Sequence, residues 1–218
     1  MMATGAETMV TDTAKGIVFI VDDDASVRRG LGALFRSAGL SVEVFGSAFE
    51  MAQSPRSESA NCLVLDVRLP TLNGIEFQEH LTRSNRQIPI IFITGHADVP
   101  LTVQAMRGGA VDFFTKPVDA SAILDAVLAA VKRDKKRRES ENSRETLRAI
   151  FETLTPRERE VMALVTSGLM NKHVAAEMGL REITVKIHRG NIMRKMQAKS
   201  LPELVRMADA LRLDRHET

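Results

Sequence analysis

Between residues 17 and 131 the chain alternates five times between short runs rich in β-branched and aromatic residues and longer stretches whose apolar residues recur every three or four positions. The short runs, IVFIV at 17–21, SVEVF at 41–45, CLVLD at 62–66, PIIFIT at 89–94 and AVDFFT at 110–115, predict strands. The stretches between and after them predict helices at about 25–38, 47–53, 74–83, 98–107 and 119–131, with Gly39 and the pair Gly108 and Gly109 as stops. Strands that are apolar throughout and separated by helices imply a parallel sheet covered on both faces. Such sheets place their chemistry outside the carboxyl ends of the strands.

The pattern changes after residue 131. Residues 132–146, KRDKKRRESENSRET, hold no apolar side chain. The connector 132–153 is therefore either a solvated helical extension, helped by pairs such as Asp134 with Arg138, or a flexible linker. From residue 147 onward the periodicity is helical, with helices expected at about 156–167, 171–178, 182–197 and 200–212. Thr155 and Glu158 have capping-box spacing, with Pro156 at the first helical position where its missing N–H costs nothing. The short turn around Gly179 suits a helix-turn-helix. In its second helix Val185, His188, Ile192 and Met196 share a face expected to bury, while Lys186, Ile187, Arg189, Gly190, Asn191 and Arg194 lie opposite. Ile187 can belong to that exposed face or to the core.

Charge divides the chain at the same place. Residues 1–131 carry 10 Lys and Arg against 15 Asp and Glu, whereas residues 132–218 carry 20 against 13, within a total of +2. An acidic half joined to a basic half suggests different partners, with nucleic acid the candidate for the second. At 218 residues, 44% hydrophobic and 27% charged, the chain suits two globular domains. No apolar run approaches the roughly 20 residues of a membrane helix, and residues 1–15 read as a loose or disordered tail with no signal peptide. A lone cysteine, Cys62, forms no internal disulfide, which fits a reducing cytoplasm.

The candidate chemistry lies at the strand ends. Asp22, Asp23 and Asp24 follow the first predicted strand, Asp66 ends the third, Thr94 ends the fourth and Lys116 follows the fifth. Like charges crowded at a sheet edge need a counter-charge. A divalent, oxygen-seeking cation such as magnesium, together with Lys116, supplies it. Asp24 on its own is most simply an N-cap of the helix starting near Ala25, and His96 an exposed loop residue.

The motifs DDD at 22–24, LVLDVRLPTLNG at 63–74, ITGHAD at 93–98 and FFTKP at 113–117 resemble the receiver domain of two-component response regulators. The resemblance implies a flavodoxin-like (CheY-like) α/β fold, with a five-stranded parallel sheet of order 2-1-3-4-5 over residues 16–131. By position it makes Asp66 the phosphoacceptor and assigns Mg2+ to Asp22, Asp23, Asp66 and the main-chain carbonyl of Arg68. Thr94 and Lys116 then contact the phosphoryl oxygens, Thr94 and Phe113 form a switch, and the Lys116–Pro117 bond is cis. Phe113 also has a plainer reading as core.

Residues 154–211, with LTPREREV, MNKHVA, TVKIHR and KMQAKSLPELVRMA, resemble the four-helix LuxR/NarL-type DNA-binding domain of FixJ-like regulators, so an all-α helix-turn-helix domain is expected over 154–218. The DNA-contacting candidates are Lys172, Thr184, Lys186, Ile187, His188, Arg189, Asn191, Arg194, Lys195 and Lys199. Lys186, Arg189 and Asn191 suit base edges and Ile187 a thymine methyl, whereas Lys172, Arg194, Lys195 and Lys199 suit phosphates. Arg181 stands where that family commonly has a serine or threonine cap, and Gly190 interrupts the reading helix.

Together the resemblances imply a cytoplasmic, phosphorylation-activated transcription regulator and no enzyme. Its partners would be a sensor histidine kinase, double-stranded DNA, a second copy of itself on phosphorylation, and RNA polymerase, with no membrane. Two rivals are a phosphorylation-independent scaffold or RNA-binding regulator, and an aspartate-nucleophile phosphohydrolase. The latter would need a second aspartate two residues after the nucleophile, where Arg68 stands.

Overall fold

The computed structural model describes residues 16–70, 72–96 and 99–211, so the expected N-terminal tail lies outside the described residues. The chain forms two compact units that divide between Arg137 and Arg138. In the first, strands β1 (Ile17–Val21), β2 (Ser41–Phe45), β3 (Cys62–Asp66), β4 (Ile90–Thr94) and β5 (Asp112–Thr115) form one sheet of order β2-β1-β3-β4-β5. Every neighbouring pair is parallel. The helices of this unit are α1 (Ala25–Ser37), α2 (Ala48–Gln53), α3 (Gly74–Arg83), α4 (Val99–Arg107) and the start of α5 (Ala120–Glu152).

The two-residue period of a strand distributes the apolar runs between two cores. Phe19, Val21, Leu63, Leu65, Ile90 and Phe92 face one side, where Met51 of α2, Ile75 and Leu81 of α3 and Ala105 of α4 cover them. Val18, Ile20, Val64, Ile91 and Ile93 face the other, under Leu31 and Phe35 of α1 and Ile123, Val127 and Val131 of α5. Because β1, β3 and β4 are buried on both faces, their sequences lack polar alternation. Cys62 sits in the second core with no exposure, and burial pushes its thiol above the ordinary range, reinforced by the charge of Asp134.

Packing of the first unit runs past residue 131. Asp134 is fully buried although the sequence around it predicts a solvated connector. Its carboxylate accepts from Asn61 Nδ2 at 2.9 Å and from Arg137 at 2.6 Å, and Asn61 Oδ1 accepts from the Ile17 N–H at 2.9 Å. The charge is thus neutralised where α5 passes the amino ends of β1 and β3. Of the two forms open to the connector, the structure has the helical one: α5 continues unbroken through 132–152.

The second unit contains the end of α5 and helices α6 (Pro156–Thr166), α7 (Asn171–Met178), α8 (Glu182–Lys195) and α9 (Leu201–Ala210). The α6 capping box is complete, with Thr155 Oγ1 accepting from the Glu158 N–H and Glu158 Oε2 from the Thr155 N–H. Gly179 ends α7 at φ 66°, a left-handed position that suits glycine and turns the chain sharply into α8. Val161, Met162, Val174, Val185, Ile192, Met196 and Leu204 form this unit's core.

Asn61→Ala removes both hydrogen bonds of the Asn61 side chain and leaves the buried Asp134 carboxylate short of a donor. A loss of about 1–3 kcal/mol in the unfolding free energy of the first unit is expected. Urea denaturation followed by circular dichroism measures it, and an unchanged midpoint would deny the network any part in stability.

Candidate functional site

Asp22, the first residue after β1, is fully buried, and its backbone N–H donates to the Phe45 carbonyl. Asp66 closes β3 and is also buried. The Lys116 ammonium, following β5, donates to Asp22 Oδ2 at 2.7 Å and to Asp66 Oδ2 at 2.6 Å. The remaining oxygens take main-chain donors, Asp22 Oδ1 from Asp24 N at 2.8 Å and Asp66 Oδ1 from Arg68 N at 2.8 Å. Arg28 of α1 donates to the Asp22 carbonyl. Asp24 caps α1, its Oδ1 accepting from Ser26 N at 2.7 Å.

Burial drives the Asp22 carboxyl above the usual carboxylate range, against the opposing pull of Lys116. Burial pulls the Lys116 ammonium down, but its bonds to Asp22 and Asp66 outweigh that and raise it. One cation therefore serves two acids, and exposed Asp23 adds a third. Oxygens of Asp22, Asp23 and Asp66 all lie within 4.8 Å of one another. Three hard oxygen donors with one ammonium between them leave a net negative site at the mouth of the sheet. That donor set fits a small hard dication, which typically takes one or two carboxylates and keeps waters.

Gly74 opens α3 directly behind the acidic residue of β3. A Cβ there would stand 2.5 Å from the Asp66 carbonyl oxygen and 3.1 Å from Val67 Cα, so the close approach of α3 requires glycine. The Lys116–Pro117 bond is cis. Thr94 is buried and its hydroxyl is turned to its own loop, donating to the His96 carbonyl at 3.1 Å and accepting from the His96 N–H at 3.3 Å. Register pairs Phe92 with Phe113 and Thr94 with Thr115, so Thr94 and Phe113 are diagonal neighbours on one face. Phe113 is half-buried against that core, its ring 6.3 Å from that of Phe92. His96 is exposed.

The basic candidates of the second unit divide by environment. Lys172, Lys186, Ile187, Arg194 and Lys199 are exposed, with Ile187 at 59%, which resolves it away from the core. Lys186 lies one turn after Glu182 at 3.2 Å, an exposed pair that contributes little. Thr184, His188, Arg189 and Asn191 are half-buried. His188 is therefore not part of the buried stripe that Val185, Ile192 and Met196 form, since it lies at the margin of the helix face. Arg189 donates to Asn171 Oδ1 at 2.5 Å and so links the two helices of the turn.

Lys195 is drawn inward. Its ammonium donates to Glu158 Oε2 at 2.6 Å and to the Thr153 carbonyl at 3.2 Å. That makes it a fastener between α8 and the start of α6. Sequence reading passed over Ile183, 60% exposed one turn before Ile187, and Met170, 65% exposed just before α7. Apolar side chains left in water beside basic ones are the signal that finds them. Neither α7 nor α8 has a side-chain cap, because Met170 and Arg181 occupy those positions.

Comparison with known proteins gives two matches. Residues 18–128 match the response regulator receiver domain, and residues 152–208 match the luxR family of bacterial regulatory proteins. Nodulation protein W of Bradyrhizobium diazoefficiens is 57% identical over 206 residues, covering 94% of this chain and 91% of that protein. A solved structure of the response regulator StyR superposes with a TM-score of 0.83 at 47% identity, covering 90% of this chain and 99% of that one. Full-length FixJ from B. japonicum has a TM-score of 0.56 at 39% identity, covering 93% and 100%.

Glu158 carries a pH-dependent part of stability. Burial raises its carboxyl, but Lys195 and the Thr155 N–H outweigh that, so its folded value lies below the ordinary one of 4.5. A depressed carboxyl contributes stability above its unfolded pKa and loses it as pH falls through the folded pKa. In acid titrations of thermal unfolding, Glu158→Gln is expected to lower stability at neutral pH and to flatten the decline below about pH 4.5. Parallel curves for variant and parent would rule out this linkage.

Proposed function

Since the chain belongs to the response regulators, joining a receiver domain to a LuxR-type DNA-binding domain, we propose that Asp66 is its phosphoacceptor and that the exposed face of α8 reads its DNA. The observation that carries the first assignment is the shared ammonium: Lys116 stands 2.6 Å from Asp66 Oδ2 and 2.7 Å from Asp22 Oδ2 at the carboxyl edge of the sheet. The function itself, phosphorylation-activated control of transcription, follows from family membership. The receiver runs from residue 16 through the part of α5 that packs on the sheet, and the DNA-binding domain begins near residue 154.

In this reading a carboxylate oxygen of Asp66 attacks the phosphorus of a phosphohistidine on the partner kinase, and the imidazole leaves. Mg2+ held by Asp22, Asp23, Asp66 and the Arg68 carbonyl would offset charge on the transferring group. Lys116 already faces the nucleophile and can follow its charge onto the phosphoryl oxygens. Arg28 and the Asp24 N–H hold Asp22 in place throughout. The phosphorylated side chain carries more charge and more acceptors than a carboxylate.

That charge draws the Thr94 hydroxyl from the His96 backbone, and Phe113, diagonal to it, takes the released space. A packed core offers discrete arrangements, which converts a small shift into a switch. A coupling of about 1–3 kcal/mol changes DNA affinity roughly 5- to 150-fold. The protein thus works as a switch without turnover, in the cytoplasm where its DNA lies. Among the described residues, no helix is long and apolar enough to cross a membrane. The phosphorylated form pairs with a second copy of itself and engages RNA polymerase at the promoter.

On α8, Ile183 and Ile187 occupy successive turns of the exposed face beside Lys186. They suit thymine methyls while Lys186 reaches a base edge. Lys172, Arg194 and Lys199 suit backbone phosphates. Arg189 is already bonded to Asn171, so it positions α8 on α7 as well as facing the groove.

Asp66→Asn is expected to abolish labelling by acetyl phosphate in the presence of Mg2+, with the fold retained. Undiminished labelling would move the acceptor elsewhere. Lys186→Ala is expected to cost about 1–3 kcal/mol at the target operator and much less on nonspecific DNA. Equal losses on both, in mobility-shift titrations at fixed salt, would make Lys186 a phosphate contact.

A further inference from the structure

At the end of the sheet opposite the acidic pocket, a cavity of about 600 Å3 opens beside the first residue of β4 and the approach to β5. It lies wholly within the first unit, and no step of phosphoryl transfer uses it. Three arginines line it, Arg86, Arg133 and Arg137, with Asp134 as the acidic member. The Asp134 oxygens are committed to Asn61 and Arg137. Among the described residues the Arg86 side chain pairs with the exposed Glu58, at 3.4 Å, and Arg133 stands exposed on α5. The cavity is therefore electropositive, with guanidinium capacity to spare.

A second observation points to a ligand of defined chemistry. Gln78 lines the cavity and is 2% exposed. Its Nε2 donates to the Ala105 carbonyl at 3.2 Å, whereas its Oε1 accepts from nothing among the described residues. Gly108 makes room for this amide, since a Cβ there would stand 2.6 Å from Oε1. A buried acceptor without a donor is costly and needs an explanation. Leu81, Ile88 and Val111 supply apolar wall beside it. An apolar surface with a few convergent polar groups is the usual make-up of a small-molecule site.

We propose that this cavity binds a small organic carboxylate whose apolar body carries a hydroxyl donor. The carboxylate meets the guanidinium groups of Arg133 and Arg86, and the hydroxyl donates to Gln78 Oε1. Bidentate geometry makes arginine the suitable partner for a carboxylate. The site is independent of the Asp66 assignment, because none of its residues touches the acidic pocket.

The probe is 4-hydroxybenzoate, titrated into the full-length protein and followed by nuclear magnetic resonance of backbone amides. Saturable shifts at Ile88, Gly108 and Arg133 are expected. Benzoate, lacking the hydroxyl, and phenol, lacking the carboxylate, should each bind about tenfold more weakly. Arg133→Ala, at an exposed position that leaves the fold intact, should weaken 4-hydroxybenzoate about tenfold and leave phenol unchanged. Gln78→Met should erase the preference for 4-hydroxybenzoate over benzoate. Absence of saturable shifts at Ile88 and Gly108 up to ~10 mM 4-hydroxybenzoate, or equal affinity in Arg133→Ala, would overturn the proposal.

Discussion

The ammonium of Lys116 is shared by two buried or nearly buried carboxylates, and the site is built around that inequality. Asp22 and Asp66 end adjacent strands, so the register that completes the sheet also forces their charges together. One cation cannot neutralise both, and exposed Asp23 deepens the deficit. The sheet provides the rigidity that keeps the acids from separating, since Val18, Ile20, Val64, Ile91 and Ile93 lock the central strands on one face and Phe19, Leu65 and Phe92 on the other. Stability is spent on holding negative charge where chemistry can use it. This is the sense in which the core of the first unit and its function are one problem.

How far the sequence discloses this depends on the range of each interaction. Strand and helix placement was legible because burial on two faces writes long apolar runs, and because Asp24, Thr155 and Gly179 act within a few residues of themselves. The acidic cluster was legible because parallel topology carries every strand end to one edge. What escaped depends on partners distant in the chain. Asp134 looks like one more charge in a solvated run until Asn61, 73 residues earlier in the chain at the amino end of β3, is set against it. Nothing in the sequence around Lys195 announces that Glu158 stands 2.6 Å away. His188 fits a helical stripe by count, yet the stripe is narrower than the periodicity implies.

The second unit spends its polar groups differently. Glu158 completes a cap with Thr155 and then receives Lys195, so a single carboxylate joins the start of α6 to the end of α8. Arg189 does the same between α8 and α7 through Asn171. α8 is thus tied to neighbouring helices at its middle and at its C-terminal end, while its start at Arg181 has no side-chain cap. The face left over carries Ile183, Lys186 and Ile187 into solvent, a mixture that water alone does not favour.

Cys62 has a chemical consequence of its own. A thiolate is a far better nucleophile than a carboxylate, and it would be attacked first by oxidants and electrophiles. Here the thiol is sealed in the second core and held protonated by its surroundings. A strand that begins with the chain's single thiol and ends with Asp66 thus seals the first in the core and sets the second at the carboxyl edge of the sheet, beside Lys116. The unit is chemically selective by burial: alkylating or oxidising reagents find its one thiol shielded.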